Sequence, residues 1–154
     1  MKAPHFFWRF IQIGPRIAYA LGLGPLIGRF VLLLGTYGRR SGQLRVTPLV
    51  YEEQGETILV ASARGRSADW LRNIRANPKV QVRVGRRYFH GLAEVTTDPE
   101  KIADYLERQF GRNARAFGAI FRAEGLPSTP SRADLIRFAP KRPVVTIRPI
   151  HDAA

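Results

Sequence analysis

Apolar positions along this chain change period several times, and each change marks an element. Val80, Val82 and Val84 alternate with Gln81, Arg83 and Gly85, a period of two that predicts a strand with one buried face. Gly85-Arg86 turns that run into Tyr88 to Thr96, so the two read as a β-hairpin. An earlier pair of apolar, β-branched and aromatic runs, Phe30 to Tyr37 and Leu44 to Glu52, flanks Gly38-Arg39-Arg40-Ser41-Gly42-Gln43 and predicts a second hairpin with a glycine-containing loop. Pro48 removes one ladder donor and places its strand at an edge or a bulge. Thr57 to Ala61 reads as a short buried strand, and Val144 to Ile147, between Pro143 and Pro149, as a last strand closing the sheet.

Helical spacing appears between these runs. Ser67 is placed to cap a helix starting near Ala68-Asp69, Trp70, Asn73 and Ile74 share one of its faces, and Asn77-Pro78 ends it. Ile102, Ala103, Leu106 and Phe110 continue the pattern from Pro99, followed by Ala114 to Phe121. Residues 1 to 34 mix Phe6, Phe7, Trp8 and Phe10 with arginines and are broken at Gly14-Pro15 and Gly24-Pro25, predicting short helices. Pro25 and Arg29 interrupt the apolar segment from Ile17 to Leu34, leaving it short of a membrane span. Ala18-Tyr19-Ala20 resembles a signal cleavage site, but Gln12, Pro15 and Arg16 break the apolar region before it, so a cytoplasmic location is expected.

Five or six short antiparallel strands with helices around them predict a mainly β fold with flanking helices (α+β), a small barrel. The expected division is an N-terminal helical arm or lid at residues 1–28 and a barrel domain at residues 29–150. At 154 residues there is room for one substantial core. The absence of cysteine excludes disulfides, thiolate metal sites and a cysteine nucleophile, and three scattered histidines lack ligand spacing, so no metal is expected. Ser62 has no histidine in a triad pattern, which argues against a hydrolase.

Charge sharpens the picture. The formal net charge is +13, which attracts anions: nucleic acid, a membrane surface or a phosphorylated ligand. Lys and Arg outnumber acids between Arg39 and Arg87. Arginines beside glycines 38 and 42 suit phosphate, because a guanidinium makes charge-assisted contacts and glycine lets the backbone approach. A solvated hairpin turn is the plainer reading of the same residues.

In Gly38-Arg39-Arg40-Ser41-Gly42, Arg45-x-Thr47-Pro48-Leu49, Val60-Ala61-Ser62 and Asp69-Trp70-x-x-Asn73-Ile74-x-Ala76-Asn77-Pro78, the chain resembles the deazaflavin-dependent nitroreductase and quinone reductase family. The likeness runs from about Phe30 to Thr96 and continues weakly through Arg142-Pro143-Val144-Val145. It implies a split β-barrel, FMN-binding-like, and coenzyme F-420, a deazaflavin with a phosphate and a polyglutamate tail, as cofactor. Flavin mononucleotide (FMN) ranks behind it. By the same resemblance Arg39, Arg40, Ser41 and Arg45 hold the phosphate side, Thr47, Pro48, Leu49, Ala61 and Ser62 line the ring, and Trp70 and Asn73 complete the pocket. Some members carry a lysine-glycine-glycine loop where this chain has Ala63-Arg64-Gly65-Arg66.

The reaction implied is hydride transfer from the reduced deazaflavin to a small-molecule electron acceptor such as a quinone, an enone or a nitro compound. The chemistry then belongs to the cofactor, and Tyr37, Tyr51, Tyr88 and Tyr105 are the candidate proton donors. Other readings stay open: a carrier of FMN, haem or fatty acid on the same barrel, or a nucleic-acid-binding barrel, although Tyr88 and Phe89 are not spaced like a stacking platform. Residues 1–28 could also rest on the inner membrane face as an amphipathic arm. Monomer and homodimer are both compatible with the resemblance.

Overall fold

The computed structural model describes residues 31–62, 65–112 and 114–151; the expected arm at residues 1–28, with Ala63 and Arg64 of the variant loop, lies outside the described residues. The elements run β1 (Val31–Tyr37), β2 (Leu44–Gln54), β3 (Thr57–Ala61), α1 (Asp69–Ala76), β4 (Lys79–Val84), β5 (Arg87–Thr96), α2 (Pro99–Arg112), α3 (Ala114–Ala123), α4 (Arg132–Phe138) and β6 (Val144–Pro149). The six strands form a closed barrel in the order β1-β2-β3-β6-β5-β4, antiparallel at every pairing. The last strand lies between β3 and β5, and β4 returns to β1.

Alternation in the strands decides the interior. Leu32, Leu34, Ile58, Val60, Val80, Val82, Val145 and Ile147 form one buried cluster, joined from α1 by Trp70, Leu71 and Ile74. Each such side chain, fully buried, contributes roughly 1.5–3 kcal/mol of hydrophobic stabilisation. Gly91 lets β5 and β6 close: a Cβ there would sit 2.8 Å from Ile147 Cγ2 and 3.0 Å from the Arg148 carbonyl oxygen. A second cluster, including Leu59, Ile102, Tyr105, Leu106, Leu135, Phe138 and Val144, packs α2 and α4 onto the barrel. Beneath α2 the buried Glu52 carboxylate accepts from Arg108 Nε at 2.7 Å, Gln109 Nε2 at 2.6 Å and Gln54 Nε2 at 2.8 Å.

The first half of β2 positions the site. Leu44 to Val50 pair with β1 alone among the described strands, and β3 pairs only from Tyr51 onward. Pro48 falls in that half, facing Leu33 in an unbroken register. The expected edge position is present locally and the bulge is not. A proline on the unpaired side gives up no ladder bond, so no bulge is needed.

Two sequence expectations shift. The N-cap of α1 is Ala68, with no side-chain cap, because Ser67 closes a 3-10 turn over Gly65–Ser67. Helix α4 was not anticipated. Ser131 and Asp134 form its capping box: Ser131 Oγ accepts from the Asp134 N–H at 3.2 Å and the Asp134 carboxylate from the Ser131 N–H at 2.9 Å.

Candidate functional site

The β1–β2 turn closes on itself. The Gly38 N–H donates to the Gln43 carbonyl at 2.8 Å, the Gly42 N–H to the Gly38 carbonyl at 2.7 Å, and the Gln43 N–H to Ser41 Oγ at 3.2 Å. Gly42 has φ +69°, a conformation that favours glycine. At Gly38 a Cβ would stand 2.6 Å from Ser41 Oγ, so glycine is what admits the serine hydroxyl.

A tether 34 residues long in sequence fixes this turn to α1. Asn73 Oδ1 accepts from the Arg39 backbone N–H at 3.2 Å and from Arg39 Nη1 at 3.1 Å, while Asn73 Nδ2 donates to Thr36 Oγ1 at 3.2 Å. Arg39 Nη2 reaches Asp69 at 3.2 Å. Asn73 and Thr36 are both buried, and three of the four hydrogen-bonding positions of the Asn73 amide are filled inside the protein. Arg40, Ser41 and Arg45 are exposed, and neither Arg40 nor Arg45 has an ion pair among the described residues.

The other predicted residues divide. Arg45, Thr47, Pro48 and Leu49 lie on the half of β2 whose outer edge is unpaired. Opposite Leu34 and Leu32, Thr47 and Leu49 fall on the barrel's inner side, and Leu49 packs against the core. Trp70 is a core residue. Ser62 is fully buried and donates to the Gly65 carbonyl at 2.6 Å, so its hydroxyl shapes the loop. Ala61 packs on the second cluster. The structure thus brings Arg39 and Asn73 together as scaffold and leaves Arg40, Ser41 and Arg45 exposed at the turn and the adjoining end of β2, with Arg45 opposite Thr36 on the same side as Thr47 and Leu49.

Residues that sequence reasoning passed over are Gln81 and His90. Gln81 Nε2 donates to Tyr37 Oη at 2.9 Å, Tyr88 Oη donates to Gln81 Oε1 at 2.6 Å, and His90 Nε2 lies 3.3 Å from Tyr88 Oη. Strand parity could have signalled them, since Tyr88 and His90 are two apart and Gln81 interrupts a valine run. The tyrosines separate by environment. Burial pushes the Tyr88 hydroxyl up, with a smaller push from Tyr37; burial and then Glu53 raise Tyr51, with Arg87 opposing. Tyr105, inside the second cluster, is pushed up strongly by burial and by Glu52. A separate recess of about 250 Å³ between α2 and the barrel is lined by Gln54, Leu59, Thr96, Lys101, Asp104, Arg108, Val144 and Thr146.

Solved structures place the architecture. An F-420-H2 dependent reductase matches with a TM-score of 0.55 at 20% identity, covering 78% of this chain and 95% of that one. A haem storage protein of Vibrio cholerae matches at 0.54 and 15%, covering 80% and 84%. Both likenesses concern the fold, and they define the molecule as a split β-barrel. At 26% identity, an F-420 reductase gives a TM-score of 0.51 and covers 82% of this chain and 91% of that one.

The family follows from the sequence match. The model of the F-420H(2)-dependent quinone reductase family matches residues 18–116, and the chain belongs to that family. An F-420H(2)-dependent quinone reductase of Mycobacterium tuberculosis is 39% identical over 61 residues, 38% of this chain. That match spans 41% of the relative's length.

Proposed function

We propose that this chain binds reduced coenzyme F-420 and passes a hydride from it to an electrophilic acceptor, a quinone ahead of an enone or a nitro compound. Family membership supports the cofactor class. The observation that carries the reading is the division of labour at the β1–β2 turn: Arg39 is consumed in holding the turn to α1, while Arg40 and Arg45 project uncommitted beside the open edge of β2.

Those residues fit a phosphate-bearing group. Arg40 and Arg45 provide charge-assisted donors and Ser41 a hydroxyl, on a turn whose geometry is fixed before the ligand arrives. Thr47, Pro48, Leu49 and Ala61 supply the ring-side surface, and Ser62, Trp70 and Asn73 hold that wall in place. When bound, the deazaflavin supplies two-electron hydride chemistry; the protein supplies position and a dry, oriented acceptor site. Residues 1–28 resting on an anionic membrane face belong to the same proposal. Co-sedimentation with anionic vesicles should fall when they are removed, and equal partition would refute that contact.

The decisive assay is anaerobic. The protein, reduced coenzyme F-420 and menadione are mixed, and the visible absorbance of the oxidised coenzyme is followed. Reoxidation proportional to protein concentration is expected; a rate equal to the protein-free mixture refutes the reductase reading.

A further inference from the structure

The recess between α2 and the barrel takes no part in the arginine turn. Its floor comes from the strands: Leu59 pairs with Thr146 and Val144 with Thr96, so these four side chains share the outer face of β3, β6 and β5. Leu59 and Val144 are buried and make that floor apolar. The facing wall is α2, where Lys101, Asp104 and Arg108 are spaced to share one side of the helix. At about 250 Å³ the space falls just below the roughly 300–1,000 Å³ of drug-sized sites, so it suits a compact molecule.

The carboxylates tied to the lining are already committed. Glu52 accepts from Arg108, Gln109 and Gln54, and Asp104 accepts from Arg132 Nη1 at 2.7 Å. Arg132 also pairs with Glu100 and Glu107, which are half-exposed or more and screened by solvent. Glu94, opposite Thr146, is exposed and does not line the recess. The donors are less committed. Among the described residues, the Lys101 ammonium and the Thr96 and Thr146 hydroxyls have no partner, and Arg108 is held through Nε alone. These groups fall at two ends. Lys101 follows Thr96 by five residues at the start of α2, whereas Arg108 and Gln54 meet at the same oxygen of Glu52. Seven residues of helix separate Lys101 from Arg108, roughly 10 Å at about 1.5 Å per residue.

We propose that the recess binds a small organic monocarboxylate with a polar group at its far end, the carboxylate on Lys101 and Thr96 and the polar group on Arg108 and Gln54. One lining cation without a counterion calls for one negative charge, and a carboxylate takes an ammonium and a hydroxyl together. The free Arg108 Nη groups donate to a hydroxyl at the other end, and Gln54 Oε1 accepts from it. Between the ends, Leu59 and Val144 favour an aryl or alkyl body over inorganic phosphate. The site does not rest on the reductase reading. Gln54 lies nine residues beyond Arg45, roughly 30 Å of strand at about 3.3 Å per residue. On its other side Val144 pairs with Ala61, so the recess abuts the proposed ring wall and not the arginine turn.

The test follows backbone amide shifts of the isotope-labelled full chain as para-hydroxybenzoate is added at about 0.15 M salt, which screens the net charge. Saturable shifts at Thr96, Lys101 and Thr146 are expected, with Arg40 and Arg45 unmoved. Shifts confined to the arginine turn, or none that saturate by about 20 mM, overturn the site. Lys101→Gln, at an exposed position, should weaken binding about tenfold and Thr96→Val about fivefold. Unchanged affinity in either overturns the assignment, and Lys101→Gln carries the test if Thr96→Val fails to fold. The neutral para-hydroxybenzamide should bind about tenfold more weakly; equal binding overturns the carboxylate class. Displacement of the acid by coenzyme F-420 would make the recess part of the cofactor site and overturn a separate one.

Discussion

Asn73→Ala separates a scaffold role from a ligand contact, because the two predict opposite readouts. The substitution removes three hydrogen bonds: two accepted from Arg39 and one donated to Thr36 Oγ1. Thr36 is fully buried, so its hydroxyl loses a partner that water cannot readily replace. With net values near 1 kcal/mol per bond and a further penalty for stranded buried groups, the loss comes to about 2–4 kcal/mol. The Arg39–Asp69 pair is largely exposed on the aspartate side and adds little. For a chain of this size a loss near 3 kcal/mol lowers Tm by roughly 6–12 °C. Asn73→Asp keeps an acceptor for Arg39 and should cost about 1 kcal/mol. Urea and thermal denaturation of the two variants measure both. An Asn73→Ala variant within about 1 kcal/mol of the parent, with coenzyme affinity lost, would refute the tether and return Asn73 to the ligand.

Other expectations follow from the same geometry. Arg40→Ala and Arg45→Ala should each weaken coenzyme binding about tenfold at low salt, the worth of one hydrogen bond to a charged group, with less effect at high salt; a salt-independent titration would remove them from the phosphate role. Gly91→Ala forces a Cβ against Ile147 Cγ2 and the Arg148 carbonyl and should destabilise by about 1–3 kcal/mol, read as a lower urea midpoint. Glu52→Ala leaves the Gln109 amide buried without its carboxylate and should cost about 3 kcal/mol, since Arg108 remains partly solvated. At α4, hydrogen bonds from Ser131 and Arg137 hold the Asp134 carboxyl below its ordinary value. Its stabilising contribution is therefore full above the unfolded value of about 3.9 and is lost as pH falls through the lower folded value. Ser131→Ala should shrink that acid-limb dependence; an unchanged limb would contradict it.

Much of the barrel was legible because strand periodicity is local. The valine alternation in β4, the turn at Gly85-Arg86 and the apolar run before Pro149 each report a face or an end without reference to the rest of the chain. Pro48 forecast an edge, and the edge exists because β3 is too short to pair the first half of β2. Helix α4 stayed hidden since its seven residues follow a proline-rich loop and its box uses Asp134 in place of the longer Glu or Gln. The site was legible as composition and less so as geometry. Nothing local in Asn73 announces an arginine 34 residues away, nor in Ser62 a carbonyl that will consume its proton. Gln81 reads as an ordinary outward strand residue until pairing sets it between two tyrosines.

The central claim is that the open turn selects a deazaflavin. Coenzyme F-420, flavin mononucleotide and haem are titrated separately into the purified protein, with fluorescence quenching or spectral shift as the signal. Saturable binding of coenzyme F-420 is expected, weakened about 100-fold at low salt by Arg40→Ala with Arg45→Ala together. Tight binding of flavin or haem with no response to coenzyme F-420 would contradict it.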